Sequence, residues 1–418
     1  MSSFSLVDSA AGLFSLSGNS LVLAGTLDFA SSSSHTIVVT ATDPAGNSFT
    51  KSLTVTVKNE ETVEGTAGDD IFTYISSLTH NRVDGLAGTE TLHMMAGRVA
   101  IAANGTDVTF DIDANGSVNF SSANVERLML SGTQVSVTAD ISSTALAAGC
   151  VTIIGTSSAD TLDGTKAGVS VLIDGGDGND AIHGSSKADV LSGGAGADKL
   201  YANGGADVMR SGAGNDTYYL DDTSQLVVES ADEGHARVVI KADYTLDGNV
   251  EDLTFAGTFG HRGTGNALNN TMVGGAGAGV LDGLEGNDTL SGGAGNDVLI
   301  GGAGANTLTG GAGADTFHFT VLEISAERDT VVAFTAGLDR IGFAGAAFAG
   351  LAGADGTAID PAAFLLGRNA TAAEHRVVYD QTTGVLSYDP VGVGGQAQEQ
   401  LAVLTNSPAL HASDLFLI

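Results

Sequence analysis

Aspartates recur at nine-residue intervals in two stretches of this 418-residue chain. From Gly175 to Tyr219 they are Asp180, Asp189, Asp198, Asp207 and Asp216; from Gly265 to His318 the same position holds Asn270, Gly279, Asp288, Asp297, Asn306 and Asp315. Glycines crowd the five positions before most of them, as in GGDGND at 175–180 and GGAGAD at 193–198. Carboxylates among glycine-rich turns that expose main-chain carbonyls offer oxygen ligands only. That donor set suits Ca²⁺, which takes six to eight oxygens in flexible geometry, better than Mg²⁺, which is smaller and sheds water reluctantly. Several calcium ions are therefore the expected cofactors.

The elements that must position these aspartates follow from the eighth residue of each repeat. It is Ile182, Leu191, Leu200, Met209 and Tyr218, then Met272, Leu281, Leu290, Leu299, Leu308 and Phe317, apolar every time. A period of nine fits neither a helix face nor an alternating strand. It fits a short strand followed by a six-residue turn, with glycines supplying positive φ angles. Two repeats make one coil, so each turn lies beside the turn eighteen residues on, and the apolar residues stack into a continuous ladder. The carboxylates then form two rows, with Asp180, Asp198 and Asp216 on one edge and Asp189 and Asp207 on the other. Stacked about 4.8 Å apart, like charges repel, and a cation is needed between them.

The expected metal-ligating residues are Gly175, Asp177, Asp180, Asp189, Gly193, Asp198, Asp207 and Asp216, with Asp160 in a good copy just before the first array. In the second array they are Asp288, Gly292, Asp297, Asn306, Gly310 and Asp315. The repeats differ in quality. Lys187 replaces a fourth-position glycine, Ala202 and Asn203 replace a first pair, and Gly279 removes a carboxylate. The strongest sites are expected between turns 175/193, 193/211 and 292/310, weaker ones between 184/202 and 283/301. Asp221, Asp222 and Glu229, between the arrays, are further candidate ligands.

The nonapeptide G-G-x-G-x-D-x-U-x resembles the RTX (repeats-in-toxin, hemolysin-type) calcium-binding repeat. That resemblance implies an all-β fold of right-handed parallel β-roll blocks. Residues 1–58, with LVLAGTLDFA and HTIVVTATDPAGNSFTKSLTVTVKN, resemble the C-terminal part of a cadherin-like β-sandwich, although Ala30 stands where that family has Glu, which counts against calcium at Asp28 or Asp43. Residues 59–154 read as a β-rich region with degenerate repeats (GTAGDDIFT, GLAGTETLH with Glu90), 155–219 as the first β-roll, 220–264 as a β connector, and 265–318 as the second β-roll. The block from Asp315 to Ile418 resembles the C-terminal region of RTX proteins exported by type I secretion, and its last residues DLFLI resemble their uncleaved signal. An amphipathic final strand explains the same five residues. In the connector, His235-Ala236-Arg237 stands where an Asp often follows Glu-Gly in RTX proteins.

Composition narrows the function. Net charge is −33, with 49 acidic and 16 basic residues, which excludes the basic face that nucleic acid demands. No apolar run approaches the roughly 20 residues of a membrane span. Cys150 is the only cysteine, so no intramolecular disulfide forms, and it reads as a small buried apolar residue. The N-terminus lacks a basic segment followed by an apolar core, so a signal peptide is not expected. No H-E-x-x-H, G-x-S-x-G, P-loop or dinucleotide fingerprint occurs, the acidic pairs Asp69/Asp70 and Asp221/Asp222 read as calcium ligands or solvated acids, and His183 and His318 fall at outward positions. The expectation is a non-catalytic, secreted or cell-surface bacterial protein that folds on extracellular calcium. Its partners would be the type I secretion machinery and cell-surface or matrix ligands, or further copies of itself in a surface layer. The alternative is the non-catalytic tail of a larger secreted protease, lipase or epimerase.

Overall fold

The computed structural model describes residues 151–165, 167–321, 328–351, 353–393 and 398–418, residues 34–56, and strand segments elsewhere between Ser3 and Asp140. Asp28, Glu90, Cys150 and the Asp69/Asp70 pair lie outside the described residues. Among the described residues there is no α-helix, and no helix long and apolar enough to cross a membrane.

Short parallel strands wind into a β-solenoid, as the nine-residue period requires. Val171–Asp177 pairs with Val190–Ala195, and that strand with the start of Val208–Tyr219, each step advancing eighteen residues: Leu172 opposes Val190 and Val190 opposes Val208. The alternate repeats build the opposite face, with Ala181–His183, Lys199–Tyr201 and the end of Val208–Tyr219 in register. The coiling starts earlier: Ile71–Tyr74, Thr91–Met95, Arg127–Ser131 and Val151–Ile154 pair in parallel and run into Val171–Asp177.

The two arrays share one face. Val208–Tyr219 pairs with Gly234–Ile240, then Asp252–Phe255, then Thr271–Val273, so this front sheet passes through residues 220–264 without a break. It continues through Thr289–Ala294, Thr307–Ala312 and Asp329–Val332 to Glu399–Leu404. The back face is interrupted. Its first sheet ends at Leu226–Val227, and a second begins at Tyr244–Thr245 and runs through Val280–Asp282, Val298–Ile300 and Thr316–Phe319 to Arg340–Phe343. The last strand of the chain, Leu415–Leu417, closes this sheet beside Arg340–Phe343.

Every apolar eighth residue named above is buried, at 0–1 % exposure, and together they form one core from Ile153 to Leu417. Outside the front sheet, His183, Tyr201 and Tyr219 stack ring on ring at 4.2 and 4.3 Å, so His183 faces outward but is covered by a neighbour. Near the N-terminus, Ser34–Thr42 and Ser48–Thr56 form a hairpin, with Ser3–Asp8 antiparallel on the other side of Ser34–Thr42. Asp43 closes its turn, accepting from the N–H groups of Ala45 and Asn47 at 2.8 and 2.9 Å and from the Asn47 amide at 2.9 Å. These bonds, the Asn47 side chain first, hold its carboxyl below the usual range.

Glycine serves two separate purposes in the turns. At second and fourth positions the backbone is left-handed, as at Gly194 (φ 112°) and Gly196 (φ 145°). At the first position φ is ordinary and space is the constraint. A methyl group added at Gly193 would sit 2.3 Å from Oδ2 of Asp198 and 2.5 Å from the Ser211 carbonyl oxygen, whereas Gly248 has nothing within 4 Å. Gly193→Ala is expected to cost about 1–3 kcal/mol or more and Gly248→Ala under about 1 kcal/mol, read by urea unfolding of the calcium-loaded chain. Equal costs would mean that the first glycine is not kept for space.

Candidate calcium sites

Each row is stitched by its own carboxylates. On one edge the N–H of Asp160 donates to Oδ1 of Asp180 (2.7 Å), Asp180 to Asp198 (2.8 Å) and Asp198 to Asp216 (2.8 Å). Further along this edge Asn270 donates to Asp288 (2.7 Å), Asp288 to Asn306 (2.8 Å) and Asn306 to Asp329 (3.0 Å). On the other edge Asp189 donates to Asp207 (2.8 Å). There too Gly279 donates to Asp297 (2.7 Å), Asp297 to Asp315 (2.9 Å) and Asp315 to Asp339 (3.0 Å). The sequence reading did not place Asp329 and Asp339 in the rows, because loops stretch the step to 23 and 24 residues. Their signal was local: Asp-Thr-Val-Val and Asp-Arg-Ile-Gly keep the D-x-U-x order.

The second carboxylate oxygen separates good sites from poor ones. Oδ2 is buried without a hydrogen-bond partner in Asp180, Asp198, Asp207, Asp216, Asp288, Asp297 and Asp315. A buried anionic oxygen left unpaired is costly. Carbonyls from the next coil point into the same space. The position of a methyl group at Gly175 is 2.3 Å from Oδ2 of Asp180 and 2.6 Å from the Gly193 carbonyl; at Gly283 the distances are 2.2 Å to Asp288 and 2.6 Å to Gly301; at Gly292, 2.5 Å to Asp297 and 2.7 Å to Gly310. These are cradles of oxygen without hydrogen-bond donors, and they fit a hard cation. Among the described residues no three His, Cys, Asp or Glu side chains converge, so a cation here must draw on main-chain oxygens.

Other expected ligands are occupied. Oδ2 of Asp160 accepts from the N–H (2.6 Å) and hydroxyl (2.9 Å) of Thr156, and Oδ2 of Asp189 from the N–H of Ser185 (2.6 Å). In both repeats a hydroxyl residue stands where glycine belongs at the second position. The Asn306 amide turns to the Gly304 carbonyl (3.2 Å). Asp177 is exposed at a third position, unlike the buried row. Glu229 accepts from the Ser211 hydroxyl (2.6 Å) and the Tyr218 hydroxyl (2.5 Å), and Asp222 caps its own turn through the Ser224 N–H (2.7 Å).

Residues 171–186, 183–218, 264–299 and 291–319 match four copies of the RTX calcium-binding nonapeptide repeat. The chain carries RTX repeats. Among solved structures, the solution structure of a subunit of the Azotobacter vinelandii mannuronan C5-epimerase is similar, at 24% identity over 38% of this chain and 80% of that one, with a TM-score of 0.21. No curated protein sequence matches the chain.

Burial changes the acidity of the RTX aspartates. It pushes Asp180 and Asp288 up to about 7, and Asp198 and Asp207 up to about 6, with neighbouring carboxylates adding to the effect and backbone N–H bonds opposing it. Asp189, Asp216, Asp297 and Asp315 move the same way for the same first cause. Without calcium, the folded state therefore holds protons that the unfolded chain sheds near pH 4. That contribution to stability is complete below about pH 4 and is lost as pH rises toward about 7. In EDTA, circular dichroism should show more β-structure at about pH 5 than at about pH 8, while calcium affinity should rise over the same interval as protons leave. A calcium-free signal indifferent to pH would contradict this.

Between the RTX arrays the edge row has a gap and a built-in cation. Ala236 stands at the row position beside Asp216, and its N–H donates instead to Oε2 of Glu251 (2.8 Å). Next to it Arg237 grips buried Asp252 through Nη2 (2.6 Å) and Nε (3.0 Å), with His235 Nε2 3.1 Å from the other oxygen. A guanidinium thus neutralises this seam where the row lacks a carboxylate. Arg237→Ala leaves Asp252 with His235 alone beside it and should lower stability by about 1–3 kcal/mol, a loss that saturating calcium does not restore. Urea titration in excess calcium reads it, and a wild-type midpoint would show that the pair adds nothing.

Proposed function

We propose that calcium is the folding switch of a secreted, non-catalytic RTX protein with a structural or adhesive role. The observation that carries this reading is the set of seven buried Oδ2 atoms without partners, each on a stacked RTX aspartate. In a calcium-poor cytosol the ionised rows repel and the repeats stay open. Outside, sites of extracellular type, with Kd about 0.1–1 mM, fill through Oδ2 and the carbonyls of the first glycines. A site at tenfold excess calcium adds about 1.4 kcal/mol, and coupled sites together reach the scale of a domain's stability.

Export by type I secretion accords with this order of events. Leu415 and Leu417 are buried in the final strand, so an export machinery that reads the last residues must do so before the chain folds. The antiparallel N-terminal strands, read as cadherin-like, would be the adhesive unit, and the solenoid its calcium-stiffened stalk.

A calcium titration followed by circular dichroism, with magnesium as control, tests the switch. A coil-to-β transition near millimolar calcium, absent with magnesium, is the expected result; a β signal unchanged by EDTA overturns it. By calorimetry Asp198→Ala should remove more calcium than Asp189→Ala, because Oδ2 of Asp198 is unpartnered while that of Asp189 is held by Ser185. Equal losses would refute that ranking.

A further inference from the structure

At the end of the front face the chain leaves the repeat pattern. Val377–Asp380, Val385–Tyr388 and Glu399–Leu404 form an antiparallel meander joined in parallel to Asp329–Val332. Over this meander opens a cleft of about 680 Å³. Its volume is that of a small-molecule site, but its lining is unlike the mostly apolar norm. Arg328, Arg368, Asn369, Ser387 and Gln400 face it, and no aromatic ring does.

The carboxylates on its wall already hold donors. Asp380 holds Arg368 Nε (3.1 Å) and the Thr382 hydroxyl (2.6 Å). Asp389, buried, accepts from the N–H groups of Val391 (3.0 Å) and Gly392 (2.6 Å). The Gln398 amide is satisfied at both ends, by the Arg368 carbonyl (3.1 Å) and the Ala370 N–H (2.7 Å). Donors remain. Arg328 gives one N–H to Gln400 Oε1, and no other hydrogen bond from its guanidinium occurs among the described residues. The Gln400 amide nitrogen and Asn369 add neutral donors beside it.

We propose that this cleft binds an acidic saccharide, with its carboxylate on Arg328 and its hydroxyls on Asn369, Gln400 and Ser387. A polar cleft with an open guanidinium and neutral amide donors suits a ligand rich in acceptors. A guanidinium fork matches a carboxylate in two bonds, which a lone ammonium cannot do. The volume exceeds what one small anion fills, and the charged and amide groups set among Val378, Val385 and Val393 disfavour a lipid or an apolar peptide. None of the residues lining the cleft is a member of the calcium rows, although Arg328 is the neighbour of Asp329.

The test is isothermal titration of the calcium-loaded full chain with tri-galacturonate, with galactotriose, acetate and inorganic phosphate as the other arms. Tri-galacturonate should bind, and each of the other three at least about tenfold more weakly, the loss expected for one charge-assisted contact. Arg328→Gln should weaken tri-galacturonate by about tenfold or more and leave the calcium midpoint unchanged. Because Arg328 adjoins Asp329, Asn369→Ala, in an exposed loop, is the second variant and should also weaken binding. No binding of tri-galacturonate, phosphate or galactotriose binding as tightly, or both variants at wild-type affinity would overturn the proposal.

Discussion

Carboxylates stacked at the spacing of β-strands, and shut away from water, need a counter-charge. Seven RTX aspartates give one oxygen to the backbone of the preceding coil, which fixes the register, and leave the other without a hydrogen-bond partner. The apolar ladder inside the coils and the glycine turns at their edges both serve this geometry. The ladder sets the step of eighteen residues, and the turns clear the space into which Oδ2 projects. Proton, metal and guanidinium are three answers to the same electrostatic problem. The raised pKa values of Asp180 and Asp288 express the first, the oxygen cradles invite the second, and Arg237 supplies the third.

Much of this was legible in the sequence because a repeat prints each constraint many times. The apolar eighth residue, the pairing of turns eighteen residues apart and the two edge rows all follow from spacing alone. What stayed hidden depends on single residues. Asp329 and Asp339 belong to the rows, yet the loops before them break the count. Asp160 looks like a good ligand until Thr156 is seen holding it, and Asp189, already in a turn weakened by Lys187, is held by Ser185. Glu251 reaches the Ala236 N–H only because the coil between them is short, and no period announces that. Of the final DLFLI, readable as a signal or a strand, Leu415–Leu417 lies in the back sheet as a strand, and a role in export would have to precede that state.

The two faces carry different information about the connector. Composition separates residues 220–264 from the arrays, since they have few glycines and many acids. The front sheet ignores the distinction and pairs straight through. The back sheet respects it, parting between Leu226–Val227 and Tyr244–Thr245, where a polar cleft lined by Gln225, Tyr244 and Arg262 opens. A segment can thus lose the repeat on one face and keep the stack intact on the other.

The eighteen-residue step also sets a rule for how such a chain can change length. Removing or duplicating a whole coil moves every later aspartate by one place along its own edge and leaves inside and outside unchanged. Removing a single nonapeptide also keeps every apolar residue inside, but it swaps the two edges for the rest of the stack: without residues 184–192, Asp207 would fall into line with Asp180 and Asp198 would cross to the other edge. Hydrophobic burial would not register that error. The aspartates would, since rows of different quality would be joined end to end. Gain and loss in pairs of repeats is the change that this architecture tolerates.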